Sequence, residues 1–104
     1  MESALATTTE RSRKQEDTVA DRYRGSRNVM SGAGWKRKAD VRTLDWLIEC
    51  KTTERKSYSL KDVELEQIRK QALQEGRRPL FIVELPTRSW VVMDEADFQE
   101  MMIE

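Results

Sequence analysis

The chain has 104 residues, enough for one small domain with a modest core, of a size where a partner subunit often helps. It contains no histidine and one cysteine, Cys50. Histidine-based acid–base chemistry, Ser-His or Cys-His nucleophile systems, a typical zinc site and an internal disulfide are therefore excluded. Nineteen Lys/Arg balance nineteen Asp/Glu, but unevenly along the chain. Residues 11–38 carry nine bases against three acids, and residues 94–104 carry five acids and no base. This asymmetry predicts a basic face for a polyanion, although a solvated charged surface reads the same way.

Residues 1–9 are small and polar and are expected to be a disordered lead-in to a single domain spanning 10–104. Thr9 or Thr8 is placed to cap a helix over 10–23 that Gly25 ends, with Val19, Ala20 and Tyr23 as its apolar stripe. Ser31, Gly32, Ala33 and Gly34 form a small-residue loop, followed by the basic run Lys36, Arg37 and Lys38. A short strand over 40–43, a turn at Leu44 and Asp45, and a second strand over 46–53 make a hairpin. In the second strand, alternation puts Trp46, Ile48 and Cys50 on one face and Leu47, Glu49 and Lys51 on the other.

Ser59 and Asp62 have capping-box spacing at the start of a helix whose Leu65, Ile68 and Ala72 share a face and which Gly76 closes. Strands are expected over 80–85 and 89–93, and a closing helix over 94–103 with Phe98, Met101 and Met102. The order is helix, two strands, helix, two strands, helix. That predicts an α/β fold with a mixed central sheet of about four strands flanked by helices. No apolar run is long enough for a membrane span, and no signal-peptide core is present, so a cytosolic location is expected.

One constellation carries chemistry. Glu49 and Lys51 lie inside an otherwise apolar strand and, at i and i+2, share a face. The second acid-X-lysine match, Glu54, Arg55 and Lys56, lies in a polar stretch and needs no explanation. With Leu44 and Asp45 as the turn, Thr43 pairs with Trp46, Arg42 with Leu47, Val41 with Ile48, and Asp40 with Glu49. Two directly opposed carboxylates repel each other, and a divalent cation between them converts that repulsion into a site. A hard cation such as Mg²⁺ suits one carboxylate from each strand. Bound there, it would activate a water and neutralise charge on a phosphoryl group, with Lys51 orienting the attack or stabilising developing charge. Ordinary ion pairs of Asp40 and Glu49 with Lys38, Arg42 or Lys51 fit the spacing equally well.

A helix acid, then an Asp, then Glu-X-Lys on the next strand, then a helix and a strand, resembles the PD-(D/E)XK nuclease superfamily and its restriction-endonuclease-like core. Ser31 to Gly34, Asp40, and Glu49, Cys50, Lys51, Thr52 and Thr53 resemble in particular the small Holliday-junction resolvases of archaeal and phage type. The resemblance runs from about Arg11 to the end. It departs from the pattern at Ala39, where a proline usually precedes the Asp.

The resemblance implies a metal-dependent, structure-selective DNA endonuclease, with Asp40, Glu49 and the Cys50 backbone carbonyl as metal ligands and Lys51 as the catalytic lysine. It implies a further acid on the first helix, for which Glu16 is the best match and Asp17 its rival. The cofactor implied is Mg²⁺, replaceable by Mn²⁺. Ser31, Gly32, Lys36, Arg37 and Lys38 would contact DNA phosphates, and Arg11, Arg13, Lys14, Arg22, Arg24 and Arg27 could extend that track. The partner implied is branched DNA such as a four-way junction, recognised by shape and cut by a homodimer with two active sites. A phage origin would place the protein in the host cytoplasm. Trp35 and Trp90 read as core or interface anchors. The same chemistry on nicked, flapped or duplex DNA, or a non-catalytic DNA-binding module on a nuclease fold, stay open as alternatives.

Overall fold

The computed structural model describes residues 7–27 and 40–103. The loop from Ser31 to Gly34, the basic residues Lys36, Arg37 and Lys38, and Trp35 lie outside the described residues. Helix α1 (Thr8–Tyr23) begins two residues earlier than expected, so Thr8 and Thr9 belong to the helix and not to a lead-in. The reason is a capping box one residue upstream. The Thr7 hydroxyl accepts from Glu10 N–H at 3.0 Å, and the Glu10 carboxylate accepts from Thr7 N–H at 2.9 Å. The helix ends on Arg24, not Gly25, in the left-handed conformation (φ 57°). Gly25 is needed for a different reason: a Cβ there would meet the Arg42 carbonyl oxygen at 2.5 Å.

Five strands form one sheet in the order β1-β2-β3-β4-β5. They are β1 (Ser26–Arg27), β2 (Val41–Arg42), β3 (Trp46–Thr52), β4 (Arg78–Glu84) and β5 (Ser89–Met93). The fifth strand beyond the expected four is β1, two residues with no hydrophobic signature. The hairpin register is the expected one, Val41 opposite Ile48 and Arg42 opposite Leu47. Strands β3 and β4 are parallel, joined through α2 (Asp62–Glu75), and the remaining pairs are antiparallel. Strand β4 starts at Arg78 and so includes Pro79. Pairing with β5 begins only at Leu80, so the missing proline N–H falls outside that ladder.

The alternation of β3 decides the layering. Leu47 packs with Phe81, Val83, Ile68 and Ala72 under α2, with Leu65 against them. Ile48 and Cys50 pack with Val41, Ile82 and Val19 under α1. Each fully buried Leu, Ile or Phe contributes about 1.5–3 kcal/mol by leaving water. Tyr23, expected in the α1 stripe, is 41% exposed and takes no part in the core.

Helix α2 is capped differently from expectation. Its N-cap is Lys61, with no side-chain cap, so Ser59 does not close a capping box. Asp62 and Glu64 in the first turn complement the helix dipole instead. Gly76 ends the helix at φ 69°, as expected. Helix α3 (Glu95–Ile103) is preceded by Asp94, whose carboxylate accepts from Ala96 N–H at 2.8 Å, and it buries none of its residues. Among the described residues no helix is long and apolar enough to cross a membrane.

Candidate active site

The site forms where β2 stops pairing with β3. Asp40 sits in a bend just before β2. Its N–H donates to the Ile48 carbonyl at 3.0 Å, and its carboxylate accepts from Cys50 N–H at 2.9 Å. Asp40 therefore straddles Glu49 on the neighbouring strand, anchored to the residue on either side of it. In an extended strand a residue's N–H and C=O point to the same neighbouring strand. The Cys50 carbonyl accordingly faces the β2 edge, the side on which Asp40 takes up its N–H.

Glu49 is only 6% exposed, an unusual placement for a carboxylate. Its Oε2 lies 3.3 Å from Lys51 Nζ. Burial is the largest cause that pushes the Asp40 carboxyl up from its ordinary 3.8 to about 7, and the negative charge of Glu49 is the next. The Cys50 N–H works the other way, since it favours the charged form. Glu16 on α1 is also raised, first by burial, then against the pull of Arg27 and with the push of Asp17 and Glu49. Glu16 and Asp40, each partly buried, thus both feel the charge of the buried Glu49, and Lys51 lies beside Glu49.

The two candidates for the helix acid part company here. Glu16 is coupled to both Asp40 and Glu49. Asp17 is 66% exposed and pairs outward with Arg27 at 3.5 Å. Arg42, a possible partner for the site acids, instead forks onto Glu75 with two bonds of 2.8 Å and lies on the α2 side of the hairpin. Cys50 is buried at 8% exposure, and burial pushes its thiol well above the usual range, so its side chain packs and does not react.

The structure adds one residue that sequence reasoning passes over. Gln15, between Lys14 and Glu16 on a polar helix, is 6% exposed. Its Nε2 donates to the Lys51 carbonyl at 2.8 Å and to the Ile82 carbonyl at 3.3 Å. The available signal was its spacing: Gln15 lies four residues before Val19, on the same helical face as the one apolar anchor of α1.

No protein-family model matches the chain, and no curated protein matches it. Among solved structures it is similar to that of Archaeoglobus fulgidus Hjc, a Holliday junction resolvase from an archaeal hyperthermophile. The likeness has a TM-score of 0.63 at 18% identity and covers 77% of this chain and 73% of that one. The fold is restriction-endonuclease-like. Within that fold, Asp40, Glu49 and Lys51 lie on the hairpin and strand at the centre of the sheet, and Glu16 lies on the helix that crosses it.

Among the described residues no three His, Cys, Asp or Glu side chains are close enough together to form a ready-made metal cage. The donor set still fits a hard divalent ion. Mg²⁺ uses one or two carboxylates and keeps several waters. Asp40 and Glu49 supply two hard oxygens from adjacent strands, and their mutual repulsion is the feature such an ion relieves.

Proposed function

We propose that the protein is a divalent-metal-dependent endonuclease that hydrolyses phosphodiester bonds in DNA, selective for branched structures and acting on the Holliday junction. The observation that carries this reading is the pair of coupled, poorly solvated carboxylates, Asp40 and Glu49, with Lys51 Nζ 3.3 Å from Glu49. The restriction-endonuclease-like fold supports it.

Asp40, Glu49 and the Cys50 carbonyl would hold Mg²⁺ (or Mn²⁺), with Glu16, electrostatically coupled to both carboxylates, as the further acid. When bound, the ion polarises the phosphoryl group and raises the acidity of a water. Lys51, beside Glu49, would donate to a phosphate oxygen as negative charge develops. Burial and the charge of Glu49 disfavour an ionised Asp40, and a bound cation would reverse that balance. Ser31, Gly32, Lys36, Arg37 and Lys38 lie in the segment just before Asp40 and are proposed to grip the DNA backbone.

A junction must be cut on two strands, which calls for two copies of the site. The exposed apolar side chains Trp90, Val91, Phe98, Met101 and Met102 on β5 and α3 are proposed as the homodimer face. The deciding experiment compares cleavage of a four-way junction with that of linear duplex having the same arms, in Mg²⁺. Faster junction cleavage is expected, and Lys51→Ala is expected to abolish it while DNA binding persists. Equal rates on both substrates would replace the junction with a broader DNA substrate. A fully active Lys51→Ala would end the nuclease reading.

A further inference from the structure

We propose that Gln15 is a positioning residue for this site, a buried amide that sets the distance between the helix acid and the strand carrying Glu49 and Lys51. The proposal rests on the nuclease reading above for its functional consequence. Its structural basis is separate.

Helix α1 sets little apolar surface against the sheet. Val19 is its one buried apolar side chain, and Ala20 adds a partly buried one. With so small an apolar surface, directional contacts matter to the position of the helix. Arg11 pairs with Glu54 at 2.9 Å near its N-terminal end, and Gln15 is the buried contact in its middle. It sits one turn before Val19 and donates both hydrogens of one nitrogen to carbonyls on two neighbouring strands, Lys51 of β3 and Ile82 of β4.

Those carbonyls are not register partners. Ile82 pairs with Cys50, one residue before Lys51. The amide therefore bridges a diagonal of the parallel pair and resists motion both along and across the strands. Only the NH₂ end of an amide can face two carbonyl oxygens, so the orientation of the group is determined by its acceptors. Its oxygen is buried with no hydrogen-bond partner among the described residues, a cost the packing retains.

Both ends of this contact adjoin site residues. Gln15 precedes Glu16, and the carbonyl it holds belongs to Lys51. A slip of α1 moves Glu16 relative to Asp40 and Glu49, and a tilt of the Lys51 peptide re-aims its ammonium. Residues that orient ligands in this indirect way change metal affinity or rate by about 10–100-fold when lost, and a misplacement of about 1 Å costs about 100-fold in rate.

The test uses the full chain with Gln15→Met, which keeps length and removes both donors. The matched control is Ile68→Val on the opposite face of the sheet, which loosens the core without touching α1. In single-turnover cleavage at saturating four-way junction, Gln15→Met is expected to lower the rate constant about 10–100-fold with junction affinity unchanged. Calorimetric Mg²⁺ binding to the DNA-free protein is expected to weaken about tenfold. Ile68→Val is expected to lower the melting temperature while leaving both quantities as in the parent. Parent-like rate and Mg²⁺ affinity in Gln15→Met would overturn the proposal, as would equal losses in the two variants, which would mark a merely structural role. If Lys51→Ala remains active, the nuclease reading falls, and the Mg²⁺ titration still decides the role of Gln15.

Discussion

Replacing Asp40 with Asn should make the protein more stable at alkaline pH, an unusual result for an acid that is well hydrogen-bonded. The Asn oxygen still accepts from the Cys50 N–H, as the carboxylate does at 2.9 Å, so the change removes charge and little else. An acid whose folded-state pKa lies above its unfolded value contributes stability in full below the unfolded value. That contribution is lost as pH rises through the folded one. For Asp40 the window runs from 3.8 to about 7. At 1.36 kcal/mol per pH unit the ceiling is about 4 kcal/mol, and partial access of water to the site reduces this to about 1–2 kcal/mol.

In a domain of this size that corresponds to a rise in Tm of about 5–10 °C for Asp40→Asn near pH 8 in EDTA, shrinking towards zero near pH 4. Divalent ions should largely close this gap. With Mg²⁺ at about ten times its Kd, the parent gains about 1.4 kcal/mol by mass action, while Asp40→Asn gains little. Thermal unfolding followed by circular dichroism at the two pH values, with EDTA and with Mg²⁺, measures all four quantities. A variant that melts at or below the parent near pH 8 in EDTA would refute the claim that Asp40 is held in a repulsive, poorly solvated place.

Glu75→Gln should cost about 1 kcal/mol at neutral pH by weakening the Arg42 fork. It should also flatten the acid limb of the stability curve. The Arg42 guanidinium holds Glu75 down from 4.5 to about 2, so its contribution is present above 4.5 and fades as pH falls towards 2. Urea unfolding at several pH values checks both effects. Gly25→Ala should destabilise by about 1–3 kcal/mol, because its Cβ would press on the Arg42 carbonyl at 2.5 Å. The chemical shift of the Arg42 carbonyl carbon should report the displacement. Phe81→Ala removes a side chain 1% exposed at the centre of the α2 layer. A loss of about 3–5 kcal/mol is expected, read as a lowered urea midpoint with unchanged slope.

Much of this molecule was legible before any coordinates, for local reasons. The period-two alternation of 46–51 assigns Leu47 to one layer and Ile48 and Cys50 to the other, as the two core clusters show. The two-residue turn at Leu44 and Asp45 sets the hairpin register, because a tight turn leaves one pairing for the residues beside it. Register and alternation together bring Asp40 and Glu49 to the same stretch of hairpin. Gly76 marks the end of α2 because its backbone adopts φ 69°, where side chains are strained.

Other features depend on contacts between residues far apart in the chain, which local pattern does not encode. Strand β1 exists because Gly25 lets the chain lie against β2, and its two polar residues carry no strand signature of their own. Which of Glu16 and Asp17 turns toward the sheet is a matter of helix rotation, and that rotation depends on how Val19 and Gln15 meet the sheet. The raised pKa of Asp40 comes from burial and from a neighbour nine positions away. The order of the elements, and which acids could meet, follow from local pattern alone. How deeply those acids are desolvated and how α1 turns toward them come from packing, because desolvation and helix orientation belong to the folded assembly and not to any one segment.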